Sequence, residues 1–144
     1  MKPIIRLAQP SDITAMHKIR ISVRENRLTR PGIISGSSYL PYVEQKSCWV
    51  AIYENEVRGF AALDLKDRTV WALFVAPDME GHGLGRLLHE QLVVGAQRHG
   101  LKRIRLVTET GSRAARFYEA AGWKCVGDAS NSGEDSYELG LVHI

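Results

Sequence analysis

The stretch that most constrains this chain is Val75-Ala76-Pro77-Asp78-Met79-Glu80-Gly81-His82-Gly83-Leu84-Gly85-Arg86-Leu87-Leu88. An apolar strand-like run ends at a proline, glycines follow at every second position, and an apolar-periodic helix begins. Alternating glycines let a backbone turn tightly with its N–H groups exposed. The helix start adds N–H groups that lack an intrahelical acceptor, and the positive end of the helix dipole. Together these make a socket for an anion, most often a phosphate. A plain tight turn is the other reading of the glycines. The strand-to-helix setting, with Arg86 in the first helical turn, favours the anion. No Gly-Lys-[Ser/Thr] follows, and the spacing is not that of the Gly-x-Gly-x-x-Gly dinucleotide fingerprint. The rest of the chain is expected to hold this socket beside an acceptor pocket.

A length of 144 residues suits one domain, residues 1–144, with a real core. The net charge of +3 fits an anionic ligand. The basic residues are scattered rather than blocked, so nucleic acid is not expected as a partner. Neither the first residues, Met1-Lys2-Pro3-Ile4-Ile5-Arg6, nor any later segment has the apolar length of a signal or a membrane span. A cytoplasmic location away from membranes is therefore expected. Cys48 and Cys125 each sit in an apolar strand-like run, which predicts two buried free thiols rather than a disulfide or a metal site.

Ile4 to Leu7 reads as a first strand. Ser11 or Asp12 caps a helix with Ile13, Met16, Ile19 and Val23 on one face, ending near Leu28. A short second helix spans about Ser37 to Gln45. Cys48–Tyr53, Val57–Leu65 and Thr69–Ala76 form strands joined by turns too short for parallel crossovers, so an antiparallel meander is predicted. The helix after the glycine loop carries Leu84, Leu88, Leu92 and Gly95 on one stripe and stops at Gly100. Arg103–Val107 alternates as a strand. Ser112–Ala121 is helical, with Ala114, Phe117, Tyr118 and Ala121 at helical spacing. Trp123–Gly127 and Ser136–Val142 are the last strands, separated by a polar loop. The order β-α-α-β-β-β-α-β-α-β-β implies a mixed α/β fold: a mostly antiparallel sheet of about seven strands, flanked by four helices.

The element order and the run Val75-x-Pro77-x-x-Glu80-Gly81-x-Gly83-Leu84-Gly85 resemble the GCN5-related N-acetyltransferases, the GNAT superfamily. In that family a [Gln/Arg]-x-x-Gly-x-[Gly/Ala] loop binds the pyrophosphate of acetyl-coenzyme A. Downstream, Ala114-Ala115-Arg116-Phe117-Tyr118-Glu119-Ala120-Ala121-Gly122-Trp123 is similar to the family's Ala-x-x-Phe-Tyr-x-x-x-Gly-[Phe/Trp] helix. The resemblance covers almost the whole chain and is weakest between Leu28 and Ser47 and after Gly127. Two positions depart from the pattern. Glu80 stands where Arg or Gln is usual, and a carboxylate there is expected to point away from a pyrophosphate. Gly111 stands where Asn is common, which leaves Ser112 to cap the helix or contact the cofactor.

The resemblance implies an acetyl-coenzyme A-dependent N-acetyltransferase that needs no metal. The acetyl group would pass directly to a primary amine of a small molecule or peptide. The cofactor residues would be Phe74, Val75, Glu80, Gly81, His82, Gly83, Leu84, Gly85, Arg86 and Ser112, with the strand ending at Val75 splayed from the Ile104–Val107 strand. For the loop residue His82, plain solvation is the alternative. Tyr118 would be the general acid that returns a proton to the departing thiolate; a core aromatic is its other reading. A phenol with a pKa of about 10 is protonated at neutral pH and suits that role. An attacking amine must be neutral, so a base is required, acting directly or through water. The strand Thr69–Phe74 offers no carboxylate, which leaves Glu25 and Glu109 as candidates, although both are of a residue type that is usually surface-exposed. The expected oxyanion donor is a backbone N–H near Val75. Arg24, Glu25, Asn26, Tyr39 and Trp71 are expected to shape the acceptor pocket. Arg24 with Arg20 or Arg27 would favour an acidic acceptor and Glu25 a cationic one; both stay open. Neither cysteine has a nearby His to generate a thiolate, so an acyl-cysteine route is disfavoured. The family accommodates homodimers, but no residue pattern here specifies one. A non-catalytic acyl-coenzyme A sensor of the same fold is the alternative function.

Overall fold

The structure is a computed structural model that describes residues 2–24, 35–127 and 133–141, and of Arg24 the backbone alone. Its elements run β1 (Ile4–Leu7), α1 (Ile13–Arg24), α2 (Leu40–Glu44), β2 (Cys48–Tyr53), β3 (Glu56–Asp64), β4 (Thr69–Val75), α3 (Leu84–Arg98), β5 (Arg103–Glu109), α4 (Arg113–Ala120), β6 (Lys124–Gly127) and β7 (Glu134–Gly140). Short 3₁₀ turns at Pro10–Asp12, Gly36–Ser38 and Pro77–Met79 lead into α1, α2 and the glycine loop. The element order matches the sequence expectation, and the strands form one seven-stranded sheet in the order β1-β2-β3-β4-β5-β7-β6. No described helix is long and apolar enough to cross a membrane.

The central strands dictate the layering. Successive strand residues point to opposite faces, and in β2 and β3 both faces are covered. Cys48 meets Met16 of α1 across a 3.8 Å sulfur contact, while its neighbour Trp49 packs on Gly95 of α3. Phe60 meets Tyr39 at a ring separation of 5.8 Å, while its neighbour Gly59 abuts Leu88 of α3. This two-sided burial explains the unbroken apolar runs Cys48–Ala51 and Gly59–Leu63. The expected meander is present, with β2, β3 and β4 antiparallel in sequence.

Two register slips bear on the site. Ala51 pairs with Gly59 but Ile52 with Val57, so Arg58 is an extra residue on β3. Its carbonyl accepts the Ala76 N–H at 2.8 Å, and its guanidinium pairs with Asp78. Both contacts hold the start of the glycine loop against β3. The Arg58 hydrogen bond keeps the Asp78 carboxyl below its ordinary pKa. On the other side of β3, Ala62 pairs with Ala72 but Leu63 with Val70, which leaves Trp71 as the extra residue.

Some expectations are corrected. The first helix is entered through a 3₁₀ turn, and Asp12 accepts the Gln9 N–H at 2.7 Å and pairs with Arg6. Burial alone would raise the Asp12 pKa, but Arg6 and the Gln9 N–H outweigh it and hold the carboxyl below its ordinary value. The predicted end of α1 at Leu28 and the loop 128–132 lie outside the described residues. Cys48 is buried as expected, but Cys125 is exposed, because β6 is the outermost strand. On α4 the buried residues are Ala115 and Tyr118, whereas Ala114 and Ala121 are exposed. The helix is rotated so that Ala114 faces a cleft and Phe117 lines it while packing on the edge of the core.

Gly95 supplies a stability prediction. In a helix interior, Gly→Ala is ordinarily favourable by roughly 1 kcal/mol. Here a Cβ would overlap Cη2 and Cζ2 of the buried Trp49. Overpacking of this kind costs about 1–3 kcal/mol. Gly95→Ala should therefore lower the denaturation midpoint in the wild-type background and raise it in a Trp49→Leu background, as read by chemical denaturation of all four proteins.

Candidate active site

β4 and β5 are the one parallel neighbour pair in the sheet order, and their ladder is a single residue pair, Thr69 with Arg105, backed by an Arg105 N–H to Arg68 carbonyl bond of 3.0 Å. Beyond that point the strands part. The gap is a cleft of about 640 Å³ walled by Val70–Val75 on one side and Leu106–Thr108 on the other. It opens at the carboxyl ends of both strands, where ligands sit in open sheets with parallel strands. The expected splay is thus present in the chain.

Two helices begin at this cleft, and they differ. The Ser112 side chain caps α4 by accepting the Ala115 N–H at 3.1 Å. α3 has no side-chain cap. Its N-cap is Gly83 at φ +80°, ψ +6°, a left-handed conformation that costs a side-chain-bearing residue roughly 1–2 kcal/mol. The Leu87 N–H reaches the Gly83 carbonyl at 3.2 Å. The N–H groups of Leu84, Gly85 and Arg86 precede the first such bond, and all three residues line the cleft. A Cβ on Gly81 or Gly83 would meet nothing within 4 Å, so the loop is open on the ligand side. A phosphate-bearing group fits this cradle: free N–H donors, the positive helix end, and Arg86 and Arg113 at its rim.

Glu80 does not aim its carboxylate into the cradle alone. It is paired with Arg113 Nη1 at 2.8 Å, across the mouth of the cleft from loop to α4. The side chains are 46% and 77% exposed, so the pair is weak in water. Arg113 was not anticipated from the sequence. Its signal was a cation in the first turn of a helix, where the dipole disfavours positive charge.

Phe74, Val75, Glu80, Gly81, Gly83, Leu84, Gly85, Arg86, Trp71 and Tyr118 all line the cleft. His82 does not; its Nδ1 lies 3.2 Å from the Met79 and Glu80 carbonyls, so it donates back onto its own loop. Ser112 is outside the lining and serves as the α4 cap. Glu109 is exposed at the end of β5, paired with Glu134 in the ladder, and also lies outside the lining. Tyr39 is fully buried. It stands behind Trp71, ring to ring at 5.2 Å and 87°, so it shapes the pocket only through that ring. The Arg24 side chain, Glu25 and Asn26 lie outside the described residues.

Adjacent helix positions point about 100° apart, and α4 uses this to split the Phe-Tyr pair. Phe117 is half-buried, Tyr118 is buried, and their rings meet edge-on at 5.2 Å. Tyr118 packs on Trp123 at 5.2 Å, and Trp123 Nε1–H donates to Nε2 of buried His89 at 2.9 Å. Burial lowers the His89 pKa, so the ring stays neutral and can accept. Burial likewise pushes the Tyr118 phenol above its ordinary value.

A second depression of about 800 Å³ lies between α3, α4 and the end of β7. It has neither a free helix start nor parted strands, so the chemistry is assigned to the first cleft. Among the described residues no three His, Cys, Asp or Glu side chains gather in a way that could hold a metal ion.

Comparison with known proteins agrees with this geometry. The model of the acetyltransferase (GNAT) family matches residues 16–123. An N-acetyltransferase from Staphylococcus aureus Mu50 superposes with a TM-score of 0.82 at 19% identity, over 99% of this chain and 100% of that one. yncA from Salmonella typhimurium, solved with its cofactor acetyl-CoA, gives 0.76 at 22% identity over 100% and 96%. The ribosomal-protein-S18-alanine N-acetyltransferase from Escherichia coli gives 0.69 at 19% identity over 99% and 96%.

The Glu80–Arg113 pair yields a prediction. Glu80→Gln removes a negative charge from the cradle and releases Arg113 for a phosphate. Coenzyme A should bind about two- to fivefold more tightly, the scale of an exposed ion pair. Titration of the purified variant checks this; weaker binding would show that Glu80 instead holds Arg113 where the ligand needs it.

Proposed function

The chain belongs to the acetyltransferase (GNAT) family, and from that premise we propose that it is an acetyl-coenzyme A-dependent N-acetyltransferase. It moves the acetyl group directly to a primary amine of a small molecule or peptide, with both substrates held in the cleft between β4 and β5. The observation that carries this reading is the uncapped start of α3, opening with Gly83 onto parted parallel strands beside Tyr118.

Acetyl-coenzyme A supplies an activated thioester carbonyl and a thiolate leaving group. The chain's residues do the rest. The N–H groups at Leu84, Gly85 and Arg86 hold the pyrophosphate, aided by Arg86 and Arg113. Phe74 and Val75 present the β4 main chain to the pantetheine arm and the reacting oxygen. Tyr118 keeps its proton at the phenol oxygen, because burial disfavours the phenolate, and gives it to the departing sulfur. The acceptor amine enters past Trp71. Its proton leaves to a base, for which Glu25 and Glu109 remain the proposed groups, Glu109 acting through water from outside the cleft lining.

The sensor reading draws on two features: β4 carries no carboxylate, and Glu80 stands at the head of the loop. Retention of Tyr118 beside the cleft favours the enzyme. Two measurements separate the readings. Acetyl-coenzyme A should raise the melting temperature by mass action, and a panel of amines should release free thiol. A melting shift without thiol release from any amine would favour the sensor.

Gly83→Val forces a β-branched residue into a left-handed position and fills the open side of the loop. Coenzyme A should no longer stabilise this variant, while its secondary structure by circular dichroism stays that of the wild type. Tyr118→Phe removes only the hydroxyl. It should lower kcat by roughly 10²-fold or more, the usual contribution of a general acid, with the Kd for coenzyme A unchanged. A raised phenol pKa means the donor form persists as pH rises. The wild-type kcat should therefore show no Tyr118-dependent fall up to about pH 9, below even an unperturbed tyrosine. A basic limb that disappears in Tyr118→Phe would contradict the assignment.

A further inference from the structure

Arg20 stands out on α1. It lies on the helical stripe of Ile13, Met16 and Val23, where an apolar residue is the norm. Its guanidinium carbon sits 4.6 Å from the centroid of the Trp71 ring and 5.0 Å from that of Phe74. Both rings line the cleft. Trp71 is the extra residue of the β4 register slip. Tyr42 stacks on Trp71 at 4.4 Å and 28°, and Tyr39 meets it edge-on. Among the described residues the guanidinium is thus held by aromatic faces and by the nearby Tyr39 hydroxyl, and no Asp or Glu pairs with it. Its Nη1 is buried, and among the described residues it donates to nothing. A buried donor without an acceptor costs about 1–3 kcal/mol, and more for a charged group. Such an orphan in a native fold calls for an explanation.

We propose that Arg20 is the anchor for a carboxylate on the acceptor, so that the substrate class is an amine that also carries a carboxylate, as free amino acids do. This rests on the acetyltransferase reading of the same cleft. The planar guanidinium fork matches a carboxylate in two parallel hydrogen bonds. The aromatic faces hold that fork in place without neutralising it. A fixed positive charge also disfavours the ammonium form of an incoming amine, the form that lacks a lone pair for attack. On α1 the anchor lies beside Trp71 and Phe74, which line the cleft, and about one helical turn before Val23, which lines it too.

The test compares L-amino acids with their methyl esters and with the amines left by removing the α-carboxylate. Thiol release reads turnover, and tryptophan fluorescence in the presence of coenzyme A reads acceptor binding separately. The acids should be preferred in kcat/KM by about 10- to 100-fold, the scale of a charge-assisted hydrogen bond. Arg20→Met keeps the side chain over the rings without the charge. It should erase the preference through the acceptor KM, with coenzyme A affinity unchanged. Arg20→Lys should restore part of the preference, and it serves as the informative variant if the Met protein is unstable. Equal use of acids, esters and decarboxylated amines overturns the proposal, as does a preference that survives in Arg20→Met. Arg20-dependent binding of the acids without any thiol release would support the anchor while overturning the acetyltransferase reading.

Discussion

Everything the site does depends on β4 and β5 being paired at one end only. A parallel pair normally zips along its length with evenly spaced bonds. Here the recorded ladder stops after Thr69 and Arg105, and the sheet continues on either side as two well-paired halves, β1 to β4 and β5-β7-β6. The parting creates a wall of main chain that faces a gap instead of a neighbour. It also brings the starts of α3 and α4 to the same opening, because each follows one of the two parted strands. The gap, the helix ends and the Phe-Tyr pair are consequences of one topological feature.

The electrostatics of the opening are balanced rather than simply positive. α4 has its N-terminus satisfied by Ser112, whereas α3 leaves its own free behind Gly83. The helix end contributes about 0.3–1 kcal/mol per charge when exposed and about 2 when partly buried. For the proposed pyrophosphate, useful affinity therefore has to come from several N–H bonds acting with Arg86 and Arg113. Glu80 opposes this field but spends its charge on Arg113. The Arg58–Asp78 pair at the base of the same loop holds the turn that aims α3 at the gap.

Much of the fold was legible because its patterns are local. The apolar strands of the meander, the Leu84-Leu88-Leu92-Gly95 stripe and the stop at Gly100 each follow from spacing that neighbouring residues enforce. The cleft residues of the glycine loop and Tyr118 were legible by resemblance. The errors share a cause. Cys125 looks like a core thiol in its strand, but β6 is an edge, and edge status depends on strand order. The buried stripe of α4 lies one residue from the periodic one, since the rotation of a helix about its axis is set by what it packs against. Tyr39 was expected at the pocket surface and is instead its backing, because Trp71 intervenes.

By itself, the sequence determined the element order, the meander, the helix-flanked sheet and the flexible-backbone loop ahead of α3, because hydrophobic period and glycine placement act over a few residues. Only the tertiary structure decided that β4 and β5 part, that Glu80 meets Arg113, and that Arg20 lies over Trp71 and Phe74. Those facts join residues 33 to 54 positions apart in the chain, or turn on a register slip. No local pattern encodes either, so the chemistry of the site belongs to the packing of the sheet.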